Sequence, residues 1–263
     1  LRMFPFIGIM ADEEPRTEIS SNGLYNSSFV GGQKIFSSPL ISGDSEFTFM
    51  LWVYRSTPWS AEIYHSEIAF INDLPVTYVS IESNTPSITL RTSNGTTMTC
   101  TSSVSSTYNE WSHVAFTGSL TSNLLKVYVN GINRGSVVMN YSLITSESGF
   151  LKDGLFGNEV AQINKYNREL SEAEVLEHIA DDGTNGVGVL TYDAMTPAQR
   201  SGLTYCSSFI KDISISGNEF SDKSGNGITL SPQPDLTGEQ IYAYTSLASV
   251  PANALPSNLP ITL

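Results

Sequence analysis

One segment alternates apolar and polar side chains so regularly that it constrains the fold of the whole chain. In the run EFTFMLWVYR, which begins at Glu46, one face carries only apolar side chains, namely Phe47, Phe49, Leu51 and Val53. A period of two residues is typical of a β-strand with one buried face. We therefore expect this segment to lie in a sheet that covers a hydrophobic core.

Further strand-length runs follow, separated by polar turns. In VTYVSIE the alternation places Val79 and Ile81 on one face, and the dipeptides Asn94-Gly95 and Asn130-Gly131 supply residues that tight hairpin turns require. Helical periodicity is almost absent from this part of the chain. The pattern predicts an all-β fold, a two-sheet antiparallel jelly-roll sandwich.

A short helix is predicted late in the chain, in the run LSEAEVLEHIADDG. Ser171 can cap its N-terminus, Glu174 completes a capping box, and Gly183 supplies a stop signal. We expect about three turns, with Val175 and Ile179 facing the sheet.

Both ends of the chain are predicted to be extended arms. The opening LRMFPFIGIM is apolar, is interrupted by proline and glycine, and lacks the features of a secretion signal; a first strand or a disordered terminus is equally compatible with it. Arms of this kind dock onto other protein subunits, so we expect an oligomer or a larger assembly. The predicted divisions are an N-terminal arm (1–22), the sandwich (23–182), a C-terminal extension (183–244) and an extended tail (245–263).

Charge and composition exclude several classes of partner. The 263 residues include 26 acidic and 13 basic side chains, which give a formal net charge of −13. Such a charge repels phosphate backbones, so nucleic acid is not expected as a partner. No apolar run is long enough to span a bilayer, and membrane insertion is not expected. Cys100 and Cys206 are too few for a disulfide framework or a zinc site, although one bridge between them stays open.

Three motifs carry a resemblance to a known family. They are WSHVA from Trp111, YVNG from Tyr128 and KYNRELSEAEV from Lys165. Their order and approximate spacing resemble those of the concanavalin A-like, laminin-G-like domains of secreted, cell-surface and bacteriophage proteins. The resemblance covers the chain from about Gly23 to about Asp182. It implies a concanavalin A-like sandwich that serves in surface binding or assembly, on a virion surface or outside the cell.

The sequence departs from this family pattern at two places. Ala161 stands where the family usually has an acidic residue, with Glu159 two residues earlier, which puts a calcium role there in doubt. The family's opening strand is found at the far end, in residues 201–231. We expect this segment to fold back onto the same sandwich, with Tyr205 near the strand around Ile163, or to add to a neighbouring subunit's sheet.

The residues that catalysis would need are missing from the motifs. Related glucanases carry a Glu-x-Asp-x-x-Glu strand, and the nearest match, EAEVLE at 172–177, lies in the predicted helix, where capping accounts for its glutamates. His65, His113 and His178 lack the spacing of metal ligands. We interpret His113 as a hydrogen-bonded structural residue, and we predict no catalytic site, no metal site and no cofactor. Calcium could find oxygen ligands, without a contiguous motif, at Asp44, Asp73, Asp153, Asn158 and Glu159.

A ligand-binding site is predicted in the segment RSTPWSAEIYHSE. Trp59, Tyr64, His65 and Glu67 offer an aromatic platform with hydrogen-bonding groups nearby, which suits a carbohydrate. The alternative is that Trp59 packs under its own loop or onto the N-terminal arm.

Taken with the arms, the pattern favours a non-catalytic structural or assembly protein, such as a phage decoration, fibre or tail-associated subunit, which also adheres to glycans. The alternative is a stand-alone extracellular carbohydrate-binding module. A glycoside hydrolase is a distant third.

Overall fold

The computed structural model describes residues 23–26, 33–55, 61–67, 75–82, 85–106, 111–152, 158–179, 190, 192–207, 222–232 and 243–246. The predicted arm at residues 1–22 lies outside the described residues, as does the tail beyond residue 246. Among the described residues, no helix is long and apolar enough to cross a membrane.

Most of the described residues form two antiparallel sheets. Sheet I has eight strands. In chain order they are β1 (Gly23–Asn26), β3 (Glu46–Arg55), β8 (Trp111–Ser119), β9 (Leu124–Val129), β10 (Ile132–Val138), β12 (Asn158–Tyr166), β13 (Leu203–Ser207) and β15 (Ala243–Ser246). Sheet II has seven strands. They are β2 (Gln33–Phe36), β4 (Ala61–Glu67), β5 (Pro75–Glu82), β6 (Thr85–Arg91), β7 (Thr97–Thr101), β11 (Ser148–Lys152) and β14 (Leu230–Pro232).

Strand order shows how the chain alternates between the sheets. Sheet I runs β10-β9-β8-β3-β12-β1-β15, with β13 beside β12, and sheet II runs β14-β2-β11-β4-β5-β6-β7. The predicted all-β, two-sheet antiparallel architecture of the jelly-roll class, with one short helix, is confirmed.

The hydrophobic core lies between the two sheets. The inward face of β3 is the one predicted, and its apolar residues are all buried, as are their partners on β8 (Val114, Phe116). Sheet II contributes Val79 and Ile81 from β5, again as the alternation predicts.

The two predicted hairpin turns are present. Asn130 and Gly131 join β9 to β10 with φ values of 50° and 77°, the left-handed backbone that a two-residue hairpin needs. Gly95 has a φ of 85° in the turn between β6 and β7.

The helix α1 (Glu172–Glu177) has the predicted N-terminus and a shorter body than predicted. The Ser171 side chain accepts from the Glu174 backbone N–H, and the Glu174 carboxylate accepts from the Ser171 backbone N–H, which completes the capping box. Val175 and Ile179 are buried, as expected. The helix ends at Glu177 with His178 as its C-cap, so the expected three turns were wrong, and the proposed stop at Gly183 lies outside the described residues.

One expectation for β3 was wrong, because this strand is buried on both faces. Its outward residues Thr48, Met50 and Trp52 are at most 2% exposed. The segment that we call the cover, residues 167–179 together with the described residues 190 and 192–202, packs on them through Leu170, Val175 and Met195. Alternation along one strand does not show that a distant segment returns to cover its polar face.

The end of the described chain returns to the same sandwich. Strand β13 pairs with β12, so that Tyr205 lies opposite Lys165 and Ser207 lies opposite Ile163. Strand β14 pairs with β2 in the other sheet, and β15 pairs with β1. The division of the chain at residues 22, 182 and 244 stays a prediction.

The turn before β14 is held by its own side chains. The Asp222 carboxylate accepts from the backbone N–H groups of Cys206 and Ser224, and the Asn226 amide donates to the Thr204 carbonyl. Cys206 and Cys100 are both buried, are not bridged, and belong to different apolar clusters.

Candidate ligand-binding face

The outward face of sheet II carries a row of polar and aromatic positions. Tyr78 on β5 pairs with His65 on β4 and with Thr89 on β6, and Thr89 pairs with Thr99 on the edge strand β7. The residues that alternate with them, Val79, Ile88 and Cys100, are buried in the core. Because alternate side chains of a strand lie on opposite faces, the row at 78, 89 and 99 lies on the outside of the sandwich. We call it the outer row.

Hydroxyl groups are paired across this face. The Thr89 and Thr99 Oγ1 atoms are 2.9 Å apart and exposed to solvent. In the neighbouring row, the Ser80 and Ser87 Oγ atoms are also 2.9 Å apart, and this pair is buried. A hydroxyl has one donor and two acceptor sites, so the exposed threonine pair keeps capacity for a ligand after its internal hydrogen bond is made.

Tyr64 does not belong to this face, and its assignment to the binding site was wrong. Its ring is fully buried, and its hydroxyl accepts from the backbone N–H groups of Leu40 at 2.9 Å and Ile41 at 3.2 Å. Burial raises the pKa of Tyr64, which keeps the phenol neutral. Tyr64 therefore fixes the chain between β2 and β3 and is not available to a surface ligand.

The other predicted site residues are placed differently. The His65 backbone pairs with that of Tyr78, and the side chain of His65 lies outside what the structure describes. Glu67 is half-buried, and its carbonyl accepts from the Glu147 backbone N–H at 2.9 Å. Trp59 lies outside the described residues. The predicted binding role of His65, Glu67 and Trp59 stays a prediction.

Sequence reasoning missed Tyr78, Thr89 and Thr99. The signal that could have found them was present, because Val79 and Ile81 were already assigned to the inward face of their strand. Their neighbour Tyr78 must then point outward, and the same argument applies to Thr89 between Ile88 and Leu90. Only the pairing of the strands brings these residues side by side, and no single segment of the sequence predicts that pairing.

The residues considered for chemistry have structural contacts. Burial alone would raise the pKa of Glu174. Hydrogen bonds from Ser171 and from the Arg168 guanidinium, 2.8 Å away, outweigh this effect, so the pKa of Glu174 is lowered overall. Asp44 pairs with the buried Lys165 ammonium at 3.3 Å. In the described part of the chain, no group of three His, Cys, Asp or Glu side chains is placed to hold a metal ion.

Two of the histidines are buried where the cover meets sheet I: His113 lies on β8, and His178 belongs to the cover itself. Burial lowers the pKa of His178 to about 4 and that of His113 to about 3, with nearby His178 adding to the effect on His113. The Tyr166 hydroxyl lies 3.1 Å from His178 Nε2, whereas His113 Nδ1 has no hydrogen-bond partner among the described residues. The expectation of a hydrogen-bonded His113 ring therefore fails at this atom.

Three features define the chain as a lectin-like β-sandwich. They are the two antiparallel sheets, the capped helix that packs on the outer face of sheet I, and the row of hydroxyl-bearing residues on the outer face of sheet II. The laminin-G-like family model described as "Concanavalin A-like lectin/glucanases superfamily" matches residues 30–176, more than half of the chain. The chain belongs to this superfamily, and the resemblance seen in the sequence is confirmed.

A solved structure shares the fold at low sequence identity. A candidate carbohydrate-binding protein from Bacteroides ovatus is 15% identical, with a TM-score of 0.61 over 88% of this chain and 61% of the other. This chain thus spans less than two thirds of that protein. The binding domain of botulinum neurotoxin serotype G is 19% identical, with a TM-score of 0.45 over 60% of this chain and 44% of the other. A comparison with curated proteins found no match.

Proposed function

We propose that this protein is a non-catalytic carbohydrate-binding module and that the outer row of sheet II is its glycan site. The observation that carries the proposal is the register of Tyr78, Thr89 and Thr99, which sets an aromatic ring beside an exposed pair of hydroxyls. Sugars combine apolar C–H faces with hydroxyl groups, and sites for them combine aromatic side chains with a few placed polar groups. The fold shared with a candidate carbohydrate-binding protein supports the same proposal.

One pair of carboxylates on this face is too widely spaced for glycoside hydrolysis. A glycosidase needs two carboxyl groups about 5–10 Å apart across the scissile bond. On the outward side of β4, Glu62 and Glu67 lie five residues apart, which places their Cα atoms roughly 15 Å apart along an extended strand. The helix glutamate Glu174 is engaged in capping and in an ion pair.

The assembly role on a virion or cell surface is a separate matter. It depends on arms at residues 1–22 and 245–263, of which only residues 245 and 246 are described, in β15. Binding to other subunits, an oligomeric state and an extracellular or virion location therefore stay predictions.

Glycan-array binding with matched tyrosine variants tests the proposed site. We expect Tyr78→Ala to weaken binding at least about tenfold, equivalent to about 1.4 kcal/mol, because the aromatic platform is removed. Tyr141→Ala is the control, since Tyr141 is 47% exposed but lies in the segment after β10, outside the outer row. Far-ultraviolet circular dichroism checks that both variants are folded.

Three outcomes count against this site. Binding that is unchanged in Tyr78→Ala excludes the outer row, and binding lost in Trp59→Ala alone moves the site to the segment before β4. A folded protein that binds no glycan on a broad array contradicts the proposed function.

A further inference from the structure

We infer that the ligand of the outer row is a neutral glycan, one whose hydroxyl groups carry no sulfate and whose sugars carry no carboxylate. This inference rests on the proposed function and adds the chemical class of the ligand. It follows from the polar groups on the face, from the shortage of cations on its strands, and from the charge of the whole chain.

The exposed polar groups of the face suit hydroxyls. Thr89 and Thr99 form a pair with their Oγ1 atoms 2.9 Å apart, and Thr97 and Thr101 are exposed on the same side of β7. A threonine hydroxyl and a sugar hydroxyl can each donate and accept, so either partner can complete the other's hydrogen bonds. A sulfate or carboxylate only accepts, and such groups are held best by cations or free N–H groups.

Cations and free N–H groups are scarce on β4 to β7, the four strands of the face. Strands β4 to β7 contain one cationic residue, Arg91, at the end of β6, and three glutamates, Glu62, Glu67 and Glu82. The backbone N–H groups of β5 and β6 are committed to strands on both sides. These strands therefore offer an anionic sugar fewer cations than carboxylates.

The long-range electrostatic field of the chain also disfavours anionic ligands. The formal net charge of −13 repels polyanions, and at physiological ionic strength the repulsion reaches about 8 Å from each charge. A neutral polymer does not feel this repulsion. Binding that depends on hydroxyl contacts and aromatic packing should accordingly vary little with salt.

Paired polysaccharides test the inference directly. Neutral polymers are printed beside anionic derivatives of the same backbone, such as dextran with dextran sulfate and hydroxyethylcellulose with carboxymethylcellulose. We expect each neutral ligand to bind at least tenfold more tightly than its anionic derivative, with a difference that narrows as sodium chloride is added. Arg91→Gln should leave neutral binding within twofold, whereas Tyr78→Ala should lose it.

The alternatives are distinguishable. Binding confined to anionic polymers and lost in Arg91→Gln overturns the neutral-glycan inference while the proposed function stands. Equal binding of both members of each pair overturns it as well. If no polymer of either kind binds, the inference falls together with the proposed function.

Discussion

The two outer faces of the sandwich begin from the same alternation and end differently. On sheet I the outward residues of β3 lie beneath the cover, and Thr48 and Trp52 are almost fully buried. On sheet II the outward residues Thr89 and Thr99 are paired through exposed hydroxyls. The polar side of a strand is therefore open to solvent only where nothing packs on it, and among the described residues of sheet II this holds for the Thr89–Thr99 pair but not for the buried Ser80–Ser87 pair.

The covered face is polar as well as buried. Thr48 Oγ1 donates to the Arg168 carbonyl and accepts from the Leu170 backbone N–H, and the Gln162 amide donates to the Leu190 carbonyl. Buried polar atoms on this face that have no hydrogen-bond partner among the described residues are Trp52 Nε1, His113 Nδ1, Asn164 Oδ1 and His178 Nδ1. Each such atom costs about 1–3 kcal/mol. The cover is thus held by specific polar contacts and should respond to changes that sheet II tolerates.

The largest expected effect is the dependence of stability on pH, which the covered histidines confer. Burial holds the pKa of His178 at about 4 and that of His113 at about 3, against about 6.5 in an unfolded chain. Below pH 6.5 the unfolded chain binds protons that the folded chain excludes, so stability is complete above about pH 6.5 and falls as the pH drops towards 4. The loss is on the order of 3 kcal/mol for each imidazole. Urea unfolding at pH 7.5, 5.5 and 4.5 measures it.

The slope of stability against pH, and not its absolute value, is the informative quantity. His178→Gln should flatten the slope between pH 6.5 and 4.5, because glutamine cannot be protonated in this range. Thr89→Val is the control, since Thr89 carries no ionisable group, lies on the other sheet and should leave the slope unchanged. A slope that His178→Gln does not alter would show that this histidine titrates normally and is not covered.

The sequence predicted what is encoded locally. The inward face of β3, the turn at Asn130-Gly131 and the capping box of Ser171 and Glu174 each depend on residues within a few positions of one another. The cover on β3 could not be predicted in this way, because residues such as Thr48 and Arg168 meet across 120 positions of the chain.

The grouping of Tyr64 with the candidate ligand-binding residues failed for a related reason. Tyr64 was grouped with its sequence neighbours, but neighbours on a strand face opposite sides, and the Tyr64 ring lies in the core. A shift in the pairing of β4 with β5 between Glu62 and Tyr64 also places both Ile63 and Tyr64 in the core. The sequence of this segment alone does not predict that irregularity.

A pair of glycine substitutions compares the hairpin turns of the two sheets. Gly131 and Gly95 both have positive φ, at 77° and 85°, so alanine costs about 1–2 kcal/mol at either turn. An added Cβ at Gly131 would lie 2.6 Å from Leu176 Cδ1 and 2.9 Å from Ile179 Cδ1, whereas nothing lies within 4 Å at Gly95. We expect Gly131→Ala to lower the free energy of unfolding by about 1 kcal/mol more than Gly95→Ala, because the former also overpacks the cover. Urea denaturation of the two variants in parallel measures this difference, and equal losses would mean that α1 does not press on the turn.

The smallest effects come from a pair of threonine substitutions, one on each outer face. Thr48→Val removes a buried hydroxyl that satisfies both the Arg168 carbonyl and the Leu170 N–H, and it should cost about 1–2 kcal/mol. Thr89→Val removes an exposed hydroxyl whose partner Thr99 can turn to water, so stability should change by less than about 0.5 kcal/mol. Glycan affinity should show the reverse order. The Thr89→Val variant should bind glycan more weakly, whereas the Thr48→Val variant should keep its affinity as long as it is folded. Unfolding and binding measured on the same preparations separate the two roles. A Thr89→Val variant that is as unstable as Thr48→Val would place the outer row in the packed structure of the protein and remove it as a ligand surface.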